Sequence, residues 1–350
     1  MIDRYLPRAW TCARGRLFCA LRILLVSGMY PSPERPEYGV FVERLANALR
    51  ARGHEVDEAV LRSGRRGRIA TPVVYAGLLA RTLSTARRTK PDVVYAHYLV
   101  PPGLIAAATG RPLVVTAHGG DVRNARSSRL LGLLTRVVIR RSRAVICVSE
   151  YVRDRLGAPA EVIDCGVDID RYRPTPRAPG DGPRFLFVGS LTARKNVGRL
   201  MRAFARLREG SLTIIGAGPL EAELRAAAPA GVRFTGRRTP EGVLLALREH
   251  DVVCLPSLEE PQGQAMLEAL ASGRPVVATT IGGPPEIVTP ACGALVDPYD
   301  EEAIAAGMRT AAGLPVPCAA GVRVAEEHAL SHQAARIEAV LARAAGIVLA

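Results

Sequence analysis

The sequence is poor in aromatic residues, and its cysteines show no ligand spacing. Phenylalanine, tryptophan and tyrosine make up 5% of the 350 residues, so the interleaving of aromatic and basic residues that is typical of single-strand nucleic-acid binding is missing. The seven cysteines are odd in number and include no Cys-x-x-Cys pair, which argues against a disulfide scaffold or structural zinc and favours a reducing compartment. No apolar run approaches the roughly 20 residues of a membrane-spanning helix. With 48% apolar residues, the composition is that of a globular protein.

The amino-terminal residues resemble a signal peptide only in part. Several arginines precede the apolar run Leu17–Val26, but Arg22 interrupts this run and no small-residue cleavage site follows it. We therefore expect residues 1–20 to be an extension, the first core strand to begin at Leu21, and the protein to be cytoplasmic.

Almost all of the net positive charge lies in the first half of the chain. The formal net charge is +14, and residues 1–170 contain 27 Arg and Lys against 15 Asp and Glu, whereas residues 171–350 contain 20 against 18. A basic half can meet an anionic membrane at its inner face, a phosphorylated acceptor or nucleic acid. An arginine-rich codon bias spread over a solvated surface explains the same counts, so the charge alone selects no partner.

Apolar strands alternate with amphipathic helices in two successive series, a pattern typical of α/β proteins with doubly wound parallel sheets. A segment rich in Pro, Gly and Arg, 172–183, separates the two series. We predict a Rossmann-like domain over 21–170, a second one over 171–328, and a final helix within 329–350 that packs back on the first domain. We expect a ligand cleft between the domains, facing the carboxyl ends of the strands.

The segment 256–275 is the most informative part of the sequence. A buried strand is followed by a loop that contains Glu260, and then by a helix that begins near Gln264 and contains Glu268. The first amides of a helix lack intrahelical acceptors and bind phosphate well. Acidic residues that merely favour the helix dipole would give the same pattern. The candidate donor-binding residues at this helix start are Gly263, Gln264, Ala265 and Met266.

This segment resembles the signature of retaining glycosyltransferase family 4, the group 1 glycosyl transferases, whose members have the GT-B fold. The matching pattern is Glu260-x7-Glu268 followed by Ala-x-x-x-Gly273-x-Pro275. Further motifs agree in order and spacing over about residues 21–310. They include Tyr30-Pro-Ser-Pro, Pro91-Asp-Val-Val94, Thr116-Ala-His-Gly-Gly-Asp121, Val188-Gly-Ser-Leu-Thr-Ala-Arg-Lys195 and Gly282-Gly-Pro-Pro-Glu286.

The resemblance implies a role for each charged residue of the second domain's site. Glu260 would hold hydroxyl groups of the transferred sugar, Glu268 would hold the ribose, and Lys195, assisted by Arg194, would neutralise the diphosphate. Composition supports Lys195 independently, because Lys90 is the only other lysine in a chain with 45 arginines, and a retained lysine indicates a need for a compact point charge. A chance exposed lysine is the alternative.

The resemblance also implies two contributions from the first domain. His118, which follows a predicted strand, would contact the donor sugar, and the amides of Gly39 and Val40 would meet phosphate at a helix start. The alternatives are a histidine that orders its own loop and an ordinary helix start. The predicted catalytic residues are therefore His118, Lys195 and Glu260.

The sequence predicts a transferase that uses no cofactor and no metal. Gly216-Ala-Gly218 lacks the third glycine of a dinucleotide fingerprint, and the Asp168-Ile-Asp170 pair lies in the inter-domain stretch. The resemblance implies transfer of a sugar from a nucleoside diphosphate, with a UDP-sugar expected, to a hydroxyl of a glycan, a lipid-linked saccharide or a small metabolite, with retention of anomeric configuration. A nucleotide-sugar epimerase or phosphorylase on the same fold and a basic nucleic-acid-binding protein are the alternatives.

Overall fold

The computed structural model describes residues 9–11, 17–62, 71–176, 180 and 182–348. Contacts divide the chain into two compact units, Met1–Cys165 with Gln333–Ala350, and Gly166–His332. Each unit contains one parallel six-stranded sheet with helices packed against it, so the predicted α/β class with two doubly wound parallel sheets is confirmed. Within the predicted extension 1–20, strands β1 (Ala9–Thr11) and β2 (Leu17–Cys19) pair antiparallel, and residues 1–8 and 12–16 lie outside the described residues.

The sheet of the first unit has the strand order β4-β3-β5-β6-β7-β8, and all its neighbours pair in parallel. Its central strands are nearly continuous apolar runs, because helices cover both faces of the sheet. Residues 23–26, for example, are at most 1% exposed. The strands are β3 (Arg22–Ser27), β4 (Glu55–Val60), β5 (Val93–His97), β6 (Leu113–Ala117), β7 (Ala144–Cys147) and β8 (Glu161–Val162).

Helix α1 (Val40–Ala51) shows how the first unit buries its helices. Val42, Leu45, Ala46 and Leu49 are buried, at the spacing of one helix face. Phe41 lies at the edge of this face, and its ring contacts two histidine rings. The further helices of this part of the chain are α2 (Thr71–Thr89), α3 (Leu104–Ala107), α4 (Gly120–Ser127), α5 (Arg129–Arg141) and α6 (Glu150–Leu156).

The sheet of the second unit has the order β11-β10-β9-β12-β13-β14, again parallel throughout. The strands are β9 (Arg184–Val188), β10 (Ser211–Ile215), β11 (Val232–Gly236), β12 (Val252–Leu255), β13 (Val276–Thr279) and β14 (Gly293–Val296). The helices are α7 (Val197–Ala205), α8 (Glu221–Ala226), α9 (Pro240–Glu249), α10 (Gln264–Ala271), α11 (Glu301–Ala312) and α12 (Ala319–Glu327).

The described part of the predicted linker is tied into the second unit by Arg274, which is fully buried. Its Nη2 donates to Thr175 Oγ1 at 2.6 Å, and its Nε donates to Leu247 O at 2.7 Å near the end of α9. The guanidinium group thus satisfies carbonyl oxygens that a helix end leaves without intrahelical partners. Residues 177–179 and 181 of the linker lie outside the described residues.

The last helix, α13 (Leu330–Ala345), belongs to the first unit from Gln333 onwards. Ile337, Val340 and Leu341 join the core that covers one face of the first sheet. The buried carboxylate of Glu338 accepts a hydrogen bond from His54 Nε2 at 2.9 Å and another from the guanidinium group of Arg52.

Each sheet has one point where the strand order changes direction, between β3 and β5 in the first unit and between β9 and β12 in the second. Loops that leave the carboxyl ends of the two strands at such a point diverge, and in α/β proteins ligands bind in the crevice between them. In the second unit these loops lead to Lys195 and Glu260. In the first unit they lead to Gly39 and His97.

Candidate functional site

Lys195 ends a short 3-10 turn, Ala193–Lys195, between β9 and α7. The next residue, Asn196, has a left-handed backbone conformation (φ 59°), which asparagine tolerates better than most residues. Its buried side chain donates to Pro256 O at 3.0 Å and to Pro298 O at 2.7 Å. Asn196 therefore fixes the lysine turn against the loop that follows β12.

Glu260 lies in the loop after β12, and backbone bonds on both sides hold it. Its amide donates to Ile281 O at 3.1 Å, and its carbonyl oxygen accepts from the Gly283 amide at 2.9 Å. Gly282 has φ 127°, and a Cβ atom there would lie 1.9 Å from the Glu260 carbonyl oxygen. Only glycine fits this position, because the two loops approach each other so closely.

The carboxylate of Glu260 and the ammonium of Lys195 form an ion pair. Lys195 Nζ lies 2.5 Å from Glu260 Oε2, Ser257 Oγ donates to the same oxygen at 3.1 Å, and Arg194 Nη1 lies 3.9 Å from it. Burial raises the pKa of Glu260, but the attraction and hydrogen bond of Lys195 and the charge of Arg194 outweigh it and bring the pKa below its usual value. Glu260 is therefore ionised at neutral pH, between two cations.

Helix α10 begins directly after this loop. Gly263 precedes it with φ 97°, and no acceptor among the described residues contacts the amides of Gln264 and Ala265. The Met266 amide, which we expected to be unpaired, instead donates to Gly263 O at 2.9 Å, because the first turn tightens around that carbonyl group. Two free amides at the positive end of a helix can bind a phosphate group beside Lys195.

Gln264 and Glu268 are the two polar side chains of α10 that were assigned to donor binding. Gln264 Nε2 donates to Gly166 O at 2.7 Å, while its Oε1 atom is buried and contacts no donor within the described part of the chain. Glu268 lies one turn further along the helix and is 9% exposed. Its predicted contact with ribose stays a prediction.

In the first unit, Gly39 positions the start of α1. It has φ 77°, and a Cβ atom there would lie 2.7 Å from the carbonyl group of Met29. The helix begins at Val40, as its place in the sequence predicts. The phosphate contact assigned to the Gly39 and Val40 amides stays a prediction.

His118 has a histidine partner that the sequence analysis missed. His97 Nδ1 lies 3.1 Å from His118 Nε2, and the two rings stack with centroids 5.3 Å apart. His97 is 1% exposed, and its Nε2 atom is buried with no hydrogen-bond partner among the described residues. The missed signal was the register, because β5 and β6 are adjacent parallel strands and a histidine stands at or just beyond the end of each.

Asp121 and an aromatic wall hold His118 in place. Asp121 Oδ1 accepts from the His118 amide at 3.1 Å, and Asp121 Oδ2 accepts from the Leu99 amide at 3.0 Å. The rings of Tyr98 and Phe41 lie 4.7 and 5.0 Å from the His118 ring. Burial lowers the pKa of His118 to about 3 and that of His97 well below its usual value. Both rings are therefore neutral at physiological pH, so His118 can exchange hydrogen bonds with hydroxyl groups but supplies no charge.

The remaining features concern metals and membranes. Within the described residues, no group of three or more His, Cys, Asp or Glu side chains has an arrangement that could hold a metal ion. None of the described helices combines the length and the apolar composition needed to cross a bilayer.

Comparison with known proteins identifies the family. A model of group 1 glycosyl transferases matches residues 182–313, and a model of Glycosyltransferase Family 4 matches residues 39–171. Glycogen synthase from Mycobacterium tuberculosis is 29% identical over 89% of this chain and 91% of its own length. Phosphatidyl-myo-inositol mannosyltransferase from Mycobacterium leprae is 30% identical over 69% of this chain and 74% of its own length.

Solved structures show the same fold. Sucrose-phosphate synthase from Thermosynechococcus elongatus superposes with a TM-score of 0.76 at 18% identity and covers 92% of this chain and 98% of its own. Anabaena HepE, solved with UDP and glucose, gives a TM-score of 0.72 at 18% identity over 92% and 99% of the two chains. The protein thus belongs to the family 4, group 1 glycosyltransferases and has their GT-B fold.

Proposed function

We propose that this glycosyltransferase moves a hexose-type sugar from a nucleoside diphosphate to an acceptor hydroxyl, with retention and without a metal or cofactor. The observation that carries the proposal is the pairing of Lys195 with Glu260 beside the amino terminus of α10. One unit then contains a carboxylate that can bind sugar hydroxyls, a cation that can bind diphosphate, and helix amides that are free to bind phosphate. UDP is the nucleotide we favour, and HepE, which shares the fold, was solved with UDP and glucose.

The donor would replace an existing ion pair. Glu260 holds the amino group of Lys195 in place, so this group is positioned before the diphosphate arrives. The diphosphate would accept hydrogen bonds from Lys195, Arg194 and the Gln264 and Ala265 amides, while Glu260 would turn to the sugar hydroxyls. Glu268 is the residue we assign to the ribose hydroxyls.

These groups supply the catalysis by stabilising charge on the leaving group. The bond between the anomeric carbon and the phosphate oxygen breaks, the acceptor oxygen attacks from the same face, and the acceptor's proton passes to the departing phosphate. Lys195 and the helix amides stabilise the negative charge that develops there, by about 3 kcal/mol for each well-placed donor. His118, as a neutral ring, is assigned to a hydrogen bond with a sugar hydroxyl.

Two features bear on the chemical class of the acceptor. The mannosyltransferase from Mycobacterium leprae carries the name of a phosphorylated lipid acceptor, and the first half of the present chain is strongly basic. Both features favour an anionic or lipid-linked acceptor over a neutral metabolite. The cytoplasmic location, at times at the inner face of the membrane, stays a prediction.

A donor screen tests the proposal. The protein is incubated with UDP-, GDP- and ADP-sugars, and thermal unfolding is recorded, since a ligand at 100 times its Kd stabilises by about 2.7 kcal/mol. Proton NMR of the product of the best donor then gives the anomeric configuration, with and without EDTA. We expect a UDP-sugar to stabilise the protein, the product to retain the donor's configuration, and EDTA to leave the rate unchanged.

Other outcomes would redirect the assignment. Interconversion of the donor sugar without a glycoside would favour an epimerase, and release of a sugar phosphate would favour a phosphorylase. A complex with nucleic acid at physiological salt, seen by gel shift, would support the binding alternative that the net charge raised. Inverted product, or a rate abolished by EDTA, would refute retention or metal independence.

A further inference from the structure

A long stretch of the first unit carries charge of one sign only. Residues 122–149 contain seven arginines and no aspartate or glutamate. Protein surfaces ordinarily intersperse both signs, so a stretch of this length gives a local positive field. Most of it is formed by α4 and α5.

Helix α5 exposes a second apolar stripe on the side that faces away from the core. Leu130 is 65% exposed, Leu133 is 52% exposed and Val137 is 39% exposed, while Thr135 and Val138 are buried. At 100° per residue, the three exposed residues fall within about 60° of the helix circumference. An apolar stripe that is exposed to solvent is unusual for a helix that already buries its other face.

Arginines border this stripe. Among the residues that the structure describes, no carboxylate lies within ion-pair distance of their guanidinium groups. We call the stripe and these arginines together the α5 surface. It consists of Leu130, Leu133, Val137, Arg129, Arg136, Arg140 and Arg141.

We propose that the α5 surface docks the first unit on a bilayer that contains anionic lipids. Apolar side chains of a helix that lies in the interface enter the boundary between headgroups and acyl chains, while arginines keep their charge at the level of anionic headgroups. A single-stranded nucleic acid would need aromatic residues for stacking, and this surface contains none. A symmetric contact with a second copy would place the same arginines against each other, which is repulsive.

The inference is independent of the donor site, because no residue of the α5 surface belongs to it. Its consequence for the acceptor is specific. A glycosyltransferase docked by this helix would meet acceptors that are themselves embedded in the membrane, rather than acceptors dissolved in water.

Vesicle flotation of the full chain tests the proposal. Vesicles of phosphatidylcholine alone are compared with vesicles of phosphatidylcholine mixed with phosphatidylglycerol. Two double variants are used, Leu130→Gln/Leu133→Gln and Arg136→Gln/Arg140→Gln, with Leu245→Gln as the matched control, since Leu245 is 56% exposed on α9 in the other unit. Circular dichroism checks that every variant is folded.

We expect the wild type and the Leu245 variant to float with the mixed vesicles only. Each double variant should lose at least about tenfold in apparent partition coefficient, since each basic residue near an anionic surface and each buried apolar group contributes on the order of a factor of five. Leu133→Trp gives a second readout, because its emission should shift to the blue when mixed vesicles are added.

Three results would overturn the proposal. They are absence of wild-type binding to mixed vesicles, wild-type binding by both double variants, and unchanged emission of the Leu133→Trp variant. Light scattering that shows a dimer in the wild type and a monomer in the Leu130→Gln/Leu133→Gln variant would assign the surface to a second copy instead.

Discussion

Nζ of Lys195 and Oε2 of Glu260 lie 2.5 Å apart, although 65 positions separate the two residues in the chain. Each residue follows one of the two strands, β9 and β12, at which the order of the second sheet changes direction. The strand order brings the loops together, and Asn196 and Gly282 hold them at their observed distance. The ion pair therefore forms because the strand order places the two loops side by side, and a substitution in either loop can perturb it.

We predict that Lys195→Met lowers both stability and transfer, whereas adding Glu260→Gln recovers stability alone. Removing the lysine leaves a buried carboxylate without its nearest cation, which costs about 3 kcal/mol of unfolding free energy. The second substitution removes that charge but restores no group that binds the donor. Urea unfolding and a transfer assay with a UDP-sugar measure the two effects.

Lys90→Met is the control for these two variants, because Lys90 is exposed and lies in the other unit. Wild-type transfer by Lys195→Met would remove the lysine from the mechanism. If the stability losses of the two substitutions simply added up in the double variant, the pair would not be coupled.

We predict that Gly282→Ala weakens donor binding by more than tenfold. The new Cβ atom would lie 1.9 Å from Glu260 O, so the Glu260 loop has to move, and the positive φ adds strain of about 1–3 kcal/mol. Calorimetric titration with the preferred nucleotide sugar measures the change. Gly313→Ala should bind as the wild type does, because φ there is −80° and the nearest atom is 3.4 Å away.

We predict that the stability of the first unit falls as the pH decreases from about 6.5, and that His97→Gln reduces this dependence. Burial and the neighbouring His118 lower the pKa of His97 in the folded state. At lower pH, His97 therefore binds a proton in the unfolded state but not in the folded state. For this residue, the free energy of unfolding falls by up to about 1.4 kcal/mol for each unit by which the pH decreases.

Urea unfolding at several pH values between about 5 and 8 gives the slope. His332→Gln serves as the comparison, since His332 is exposed. An identical slope for His97→Gln and the wild type would mean that His97 titrates normally in the folded protein.

We predict that Glu338→Ala destabilises the first unit by about 3 kcal/mol, with no direct effect on the second. The substitution removes the acceptor of the buried His54 Nε2 hydrogen bond and the partner of Arg52. Hydrogen exchange should become faster in β3 and β4 and stay unchanged in β12 and β13. Glu327→Ala, at an exposed site, should alter neither. Equal acceleration in both sheets would contradict the prediction.

The alternation of strands and helices in two series was predictable from the sequence, and the first core strand, expected to begin at Leu21, begins at Arg22. Buried parallel strands are apolar runs bounded by turn residues, so local pattern is enough to find them. Helix α2 is hard to find from local pattern because it is rich in Thr and Val, and α12 because it follows a segment with two prolines.

The site was predicted where its residues form a local motif and missed where they meet through tertiary structure. Lys195, Glu260 and the start of α10 belong to such local motifs. His97 and Ser257 were missed, because their importance depends on which loop lies next to them. The hydrogen bond of the Met266 amide could not be predicted from the sequence either, since it depends on the tightening of a single helical turn.

The placement of α13 has a consequence for the order in which the two units fold during synthesis. All residues of the second unit are consecutive, so its core can close soon after His332 leaves the ribosome. The first unit, although its strands are made earlier, has to wait for Ile337, Val340 and Leu341 to cover one face of its sheet. The half of the chain that is translated first is therefore completed last, and in the interval the uncovered face of its sheet exposes apolar side chains, which makes that state prone to aggregation.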